Sequence, residues 1–387
     1  MLAALQLALD KRQADGLLRQ RRLLDSPQAE HIVTNDQSYL SFCSNDYLGL
    51  ANRPELISAM QQAAGESGVG SGASNLITGH HRYHDDLERQ LAAFVERPAA
   101  LLFSTGYMAN IGVLGALVGR GDAIFADKLN HACLNDGGYY SLASFHRFAH
   151  NDVQALEALL KTSTAKHKLI AVDAVFSMDG DIAPLAEYLQ LCERYDAYLY
   201  VDDAHGFGVL GEHGQGTLHH LGLRSPRIIM MATLGKAAGV AGAFVAAEAV
   251  VINYLIQTAK SYVYSTPAPP ALSATLSASL KLIAQGDALR THLYGLIAYF
   301  KAHLSCQKWR LMPSDTSVQP LLVGSNQAAL ALSAYLQAAG ILVPAIRPPT
   351  VPAGTARLRI SISAAHSLED IQKLLQAIHQ AESELPS

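Results

Sequence analysis

The stretch Met230-Met231-Ala232-Thr233-Leu234-Gly235-Lys236-Ala237-Ala238-Gly239 sets one lysine between small residues, directly after the apolar, strand-like run Arg227 to Ala232. An amine held at a strand end, with Gly235 and Gly239 keeping bulk away, suits an aldehyde that approaches to form a Schiff base. Taken alone, the same residues describe a surface lysine in a Gly/Ala-rich loop, because short Gly-Lys matches are common. The chain upstream changes that balance. Ala197 to Gly206 reads as a buried strand ending in Asp202, Asp203 and His205, and Leu169 to Gly180 as another that delivers Ser177 at its carboxyl end. Ligands of an open α/β sheet collect at such ends. Three strand ends thus offer Ser177, Asp202 with His205, and Lys236 to one place.

Further junctions follow the same pattern. Ala100 to Ser104 reads as a strand, and Thr105-Gly106-Tyr107 opens a helix towards Val118. A helix start carrying glycine offers free N–H groups and the positive end of the dipole, a natural phosphate cradle. Asp122 to Asp127 is another strand, followed by Asn130-His131-Ala132-Cys133.

The motifs VFSMDG (175–180), VDDAHGFG (201–208), TLGKAAG (233–239) and IRPPTVPAGTARLRISISAAH (346–366) resemble the α-oxoamine synthases, fold-type I enzymes dependent on pyridoxal phosphate. The resemblance runs from about Leu9 to the last helix. It implies an α/β fold: an N-terminal helix and arm over 1–45, a large cofactor-binding domain with a mostly parallel sheet over 46–282, and a smaller α/β domain over 283–387. It also implies roles for single residues. Lys236 would carry the cofactor and act as the base, Asp202 would face the pyridine nitrogen, and His131 would stack on the ring and meet the substrate. Ser177 and His205 would bind the ring hydroxyl side. Thr233 and the Gly106 and Tyr107 amides would hold the phosphate, with Thr266 reaching the phosphate of a partner subunit. For the substrates, Arg19 would meet the acyl group, Asn45 and Thr350 would line the site, and Arg359 would clamp the amino acid carboxylate. Cys133 stands where the family usually has serine, and Asn75 where relatives often have arginine, so Asn75 is assigned no role.

The activity implied is decarboxylative condensation of L-alanine with a pimeloyl thioester, carried by CoA or an acyl carrier protein, as in biotin biosynthesis. The Arg-Pro-Pro loop at 347–349 is closer to this alanine-using branch than to the glycine-using sister branches, which remain the alternative.

Bulk properties bound what else is possible. The 387 residues exceed the size at which one core usually divides, so two lobes are expected. With 29 Lys+Arg against 33 Asp+Glu the net charge is −4, which gives no case for nucleic acid or a membrane surface as the main partner. Half the residues are hydrophobic and 16% charged, which leaves room for a large subunit interface; a homodimer is expected. Cys43, Cys133, Cys192 and Cys306 show no metal spacing and read as reduced thiols of a cytoplasmic protein, with no metal. No signal peptide or membrane-length apolar run is legible.

A basic amphipathic helix is expected from Leu2 to about Leu24, and one long Ala/Leu-rich helix from Ala271 to about Leu304. The last lobe is expected to build a small, mostly antiparallel sheet from strands near 318–323, 342–346 and 357–363, with helices near 327–339 and 368–381. In the third strand Arg357 and Arg359 share a face. Two competing readings remain: a metal hydrolase using Asp202, His205, His131 and the His213, His219, His220 group, in which Lys236 would be idle, and a non-catalytic subunit, against which Lys236 argues.

Overall fold

A computed structural model describes residues 1–19 and 21–385; Gln20 in the expected arm and residues 386 and 387 of the expected second lobe lie outside them. Seven strands form the large sheet, in the spatial order Ala99–Phe103, Ala243–Ala247, Ile228–Thr233, Tyr198–Asp202, Lys168–Asp173, Ala123–Asp127, Ser144–Phe148. All run parallel except Ala243–Ala247, which is antiparallel to both of its neighbours. The central strands are near-continuous apolar runs because helices cover both faces, and 123–127, 198–202 and 228–233 are almost wholly buried. Parallel pairing brings the carboxyl ends of 123–127, 168–173, 198–202 and 228–233 to one edge. Asp173 and Asp202 lie directly opposite each other in register there.

The second sheet is antiparallel throughout, in the order Arg310–Leu311, Val318–Gly324, Ala356–Ser361, Ala345–Ile346. The helix Asn326–Ala338 packs on this sheet and Leu368–Glu384 packs against that helix, the second started by a capping box between Ser367 and Asp370. A third small sheet joins the ends of the chain: Gln37–Ser41 pairs with His31–Thr34 on one side and with Ile341–Leu342 on the other.

Three elements differ from expectation. The first helix spans only Leu2–Ala14, because Gly16 takes a left-handed φ of 65° and the Leu17 amide turns back to Arg12; Arg19, Arg21 and Arg22 follow in irregular chain. The expected long helix is two, Pro270–Ala284 and Asp287–His303, broken at Gln285-Gly286 and restarted with Asp287 in the first turn. The expected strand 342–346 is also two, separated by Val343-Pro344, and its first half joins the third sheet, pairing with Leu40 and Ser41.

Candidate active site

An open cleft of about 560 Å³, counting the solvent space at its mouth, lies over the carboxyl edge of the large sheet. It is lined by Gly106, Tyr107, His131, Ser177, Asp202, His205, Thr233 and Lys236, all picked out from the sequence. Asn110, Cys133 and Asp173 join them. The local reasons are plain. Each parallel strand stops at the same edge and hands its next residues to a loop, so residues far apart in sequence converge.

Asp202 is buried under the cleft, where its carboxylate accepts from Asn110 Nδ2 at 2.7 Å and from the Ala204 amide at 3.0 Å. Asn110 is itself fixed by the Tyr200 hydroxyl, which donates to its Oδ1 at 2.7 Å. Asp173, opposite on the next strand, accepts the His131 amide at 2.6 Å. Burial, followed by the negative charge of Asp202, pushes the Asp173 carboxyl well above its ordinary value. Asp203 turns away, as expected of a structural neighbour: it is buried against Thr217, whose amide and hydroxyl both donate to it. Burial raises its carboxyl to about 7.

The Thr105 hydroxyl caps the helix Gly106–Leu117 by accepting the Met108 amide at 3.1 Å. First-turn amides have no partner within a helix, so those of Gly106 and Tyr107 are open to an anion. His131 caps the helix Ala132–Ser141 and stands exposed at the cleft mouth, with Nδ1 2.7 Å from Cys133 Sγ.

Lys236 Nζ sits 2.7 Å from His205 Nε2. Burial lowers the amine to about 8, against the pull of Asp202 and Asp173, while Arg359 lowers it further. Burial also holds His205 well below its ordinary value, helped by the Lys236 and Arg359 charges, so it is neutral. Its Nδ1 lies 2.6 Å from the Tyr47 hydroxyl. Arg359 Nη2 in turn donates to Tyr47 Oη at 3.3 Å and to Asn45 Oδ1 at 3.0 Å. A continuous chain of polar contacts therefore runs Arg359, Tyr47, His205, Lys236.

The two arginines of the last strand divide their tasks. Arg357 pairs with Asp179 at 2.7 Å. Arg359 is equally buried but, among the described residues, pairs with no carboxylate; its Nε donates to the Ser177 carbonyl at 2.6 Å and its Nη1 to Ser361 Oγ at 2.8 Å. A buried guanidinium held only by neutral acceptors is set to receive an anion.

Other expected residues stand apart from the cleft. Thr266 is exposed and lines a neighbouring cavity with Ser104 and Gly242. Arg19 and Thr350 are exposed, Thr350 in the turn after the Arg347 carbonyl. His213 faces Asp287 at 3.5 Å and His219 lines a separate cavity beside Arg224, so neither meets Asp202. Tyr47, Asn110 and Asp173 are the site residues that sequence reasoning passed over. Tyr47 follows Asn45 in the same polar turn, and nothing in its own stretch distinguishes it from a core tyrosine.

The donor set fits an aldehyde cofactor with a phosphate: a lysine of lowered basicity, a buried carboxylate beneath the cleft and an open helix start in one cavity. The chain belongs to the aminotransferase class I and II family, whose model matches residues 37–378. Among proteins it resembles, the 8-amino-7-oxononanoate synthase of Methylobacillus flagellatus is 56% identical over 382 residues, covering 99% of this chain and 96% of that one. A solved serine palmitoyltransferase of S. paucimobilis, with PLP and myriocin bound, is 27% identical with a TM-score of 0.92, covering 98% of this chain and 96% of that one. The solved 8-amino-7-oxononanoate synthase of Francisella tularensis is 29% identical with a TM-score of 0.76, covering 88% and 97%. The family resemblance carried by the strand-end motifs is borne out.

Proposed function

We propose that this chain condenses L-alanine with a pimeloyl thioester to 8-amino-7-oxononanoate, releasing carbon dioxide and the thiol carrier, as an acyltransferase of biotin biosynthesis. The observation that carries this is the junction of two features: the lysine of lowered basicity in the cleft over buried Asp202, and the unpaired buried Arg359 joined to it through Tyr47 and His205. The 56% identity to the Methylobacillus enzyme supports the same activity and favours alanine over a glycine-using sister reaction.

Pyridoxal phosphate, when bound, supplies the electron sink that makes the α-carbon of an amino acid acidic. Lys236 would hold its aldehyde carbon, Asp202 its protonated ring nitrogen, and the Gly106 and Tyr107 amides with Thr233 its phosphate. Ser177 and His205 would hold the ring hydroxyl side, and His131 would cover one face. Arg359, held by Ser177, Ser361, Asn45 and Tyr47, keeps one Nη1 hydrogen and its full charge for the substrate carboxylate, at a fixed position that a lysine could not reproduce. Lys236 Nζ, once freed because the amine of the amino acid takes its place at that carbon, would take the α-proton, a task for which an amine near the working pH is well matched. His205 accepts at Nε2 and keeps that amine aimed into the cleft. Arg19, outside the cleft, is assigned to the acyl chain, and Thr350, also outside it, to substrate contact.

The described residues include no helix long and apolar enough to cross a membrane. Exposed Tyr139, Tyr140, Leu142 and Tyr264, with Thr266 lying off the cleft, support a homodimer in which Thr266 serves the partner's phosphate site. Four unpaired cysteines support a cytoplasmic setting, and an acyl carrier protein is an alternative thioester carrier to CoA. The lobes 46–282 and 283–387 belong to the same proposal, with the cleft floor in the first and Arg359 in the second. Thiol release by the pyridoxal phosphate-loaded protein tests it, with L-alanine or glycine crossed against pimeloyl-CoA or acetyl-CoA. Release only with alanine and pimeloyl-CoA is expected; preference for glycine with a short acyl group would refute it.

A further inference from the structure

A cluster of charged groups outside the cleft has no part in the chemistry above. His150, just beyond the strand Ser144–Phe148, lies between the carboxylate that ends the strand Ala123–Asp127 and that of Asp181 in the loop after Lys168–Asp173. Its Nδ1 is 3.1 and 3.2 Å from the two oxygens of Asp127, and its Nε2 is 2.8 Å from Asp181 Oδ2. With an acceptor on each ring nitrogen, both must carry hydrogen, so the ring is an imidazolium. Its setting is tight: the ring meets Phe176 edge-on at 4.4 Å, and Asp127 is fully buried. Asn151 reinforces both links, its amide donating to Asp127 and its side-chain Nδ2 to Asp181, each at 2.8 Å.

The two ends of this clamp lead to different halves of the site. Asp127 accepts the Leu129 amide at 2.7 Å and so fixes the start of the segment that carries His131. Asp181 closes the loop 176–181, its carbonyl accepting the Phe176 amide at 3.0 Å. That loop presents the Ser177 carbonyl to Arg359 and the Asp179 carboxylate to Arg357. The loop is therefore the bridge by which the large sheet positions both arginines of the small one, and one of its ends is held by a doubly paired charge.

We propose that His150 is a positioning residue for amino acid binding: by clamping Asp127 to Asp181 it fixes the loop whose Ser177 carbonyl orients Arg359 towards the substrate carboxylate. The proposal rests on the assignment of Arg359 to that carboxylate.

The experiment uses the cofactor-loaded protein and the variants H150Q, D181A and D181N. L-Alanine is titrated against the cofactor absorbance, and KM is measured separately for L-alanine and pimeloyl-CoA. H150Q and D181A are expected to retain full cofactor and a KM for pimeloyl-CoA within about twofold of wild type, while the L-alanine Kd rises roughly tenfold, the effect of misplacing one charge-assisted hydrogen bond. D181N, which keeps an acceptor for Nε2–H, should recover most of that loss. An unchanged L-alanine Kd, or an equal fall in every parameter with a lowered melting temperature, would overturn the proposal. Amide hydrogen exchange of residues 176–182 reads the clamp without any substrate: faster exchange in H150Q is expected, and unchanged exchange overturns it. Failure of the wild-type absorbance to respond to L-alanine would instead strike the functional assignment, leaving the exchange result to decide on the clamp.

Discussion

Removing the cofactor and then raising the pH isolates the behaviour of one amine. Burial brings Lys236 to about 8, against an ordinary value of 10.5. At pH 7 about a tenth of the molecules then carry a neutral Nζ, roughly three-hundredfold more than for an ordinary lysine. Between pH 7 and pH 9 that share rises from about a tenth to about nine tenths, so reactivity should climb about tenfold and level off. An unperturbed lysine would gain about a hundredfold over the same interval and keep climbing. The assay is the initial rate at which cofactor-free protein captures pyridoxal phosphate, trapped with borohydride and located at Lys236 by mass spectrometry. A midpoint near 8 is expected. The sign of a second change is also fixed: Asp202 holds the proton on Lys236, so Asp202→Asn should move the midpoint down. A rate still rising tenfold per pH unit beyond pH 9, or an upward move in the Asp202 variant, would refute the electrostatic account.

Four further outcomes are expected. Lys236→Ala should abolish turnover while circular dichroism shows an unchanged fold. Arg359→Lys should raise the L-alanine KM by roughly ten- to a hundredfold, because a point charge replaces several fixed charge-assisted hydrogen bonds, with pimeloyl-CoA KM little changed. Tyr47→Phe should keep the cofactor but lower kcat by roughly tenfold, since it strips His205 Nδ1 of its buried partner, at a cost of about 1–3 kcal/mol. Gly180→Ala should lower the melting temperature and loosen the loop 176–181, at about 1–3 kcal/mol. Gly180 holds φ of 74°, and a Cβ there would run into the Val318 carbonyl and the Ser314 hydroxyl.

Much of the cleft was legible because a parallel sheet delivers its polar groups at one kind of place. Lys236, Asp202, His205 and Ser177 each follow an apolar run that can only be a buried strand, and such ends converge. Contacts set by tertiary packing left no such mark. Tyr47 meets His205 across 158 positions and Asn110 meets Asp202 across 92, with no local periodicity to signal either. Arg357 and Arg359 looked equivalent on one strand face; only Asp179, brought in from the other sheet, separates a paired cation from an available one. The misjudged helices have local causes that a pattern of leucines hides: a left-handed Gly16 in one and the Gln285-Gly286 break in the other.

The small sheet that joins Gln37–Ser41 to Ile341–Leu342 carries a consequence for the order of assembly. Residues made early by the ribosome must wait for residues made near the end before they acquire a hydrogen-bonded neighbour. Asn45 and Tyr47, just beyond this strand, likewise gain Arg359 only after more than three hundred intervening residues have been synthesised. Contacts of such separation form late, since the closure of a long loop precedes any gain from it. The large sheet from Ala99 to Ala247 can be complete on the nascent chain while the amino acid pocket is still open. The strand end that carries Lys236 can thereby be in place on the nascent chain before Arg359 joins Asn45 and Tyr47.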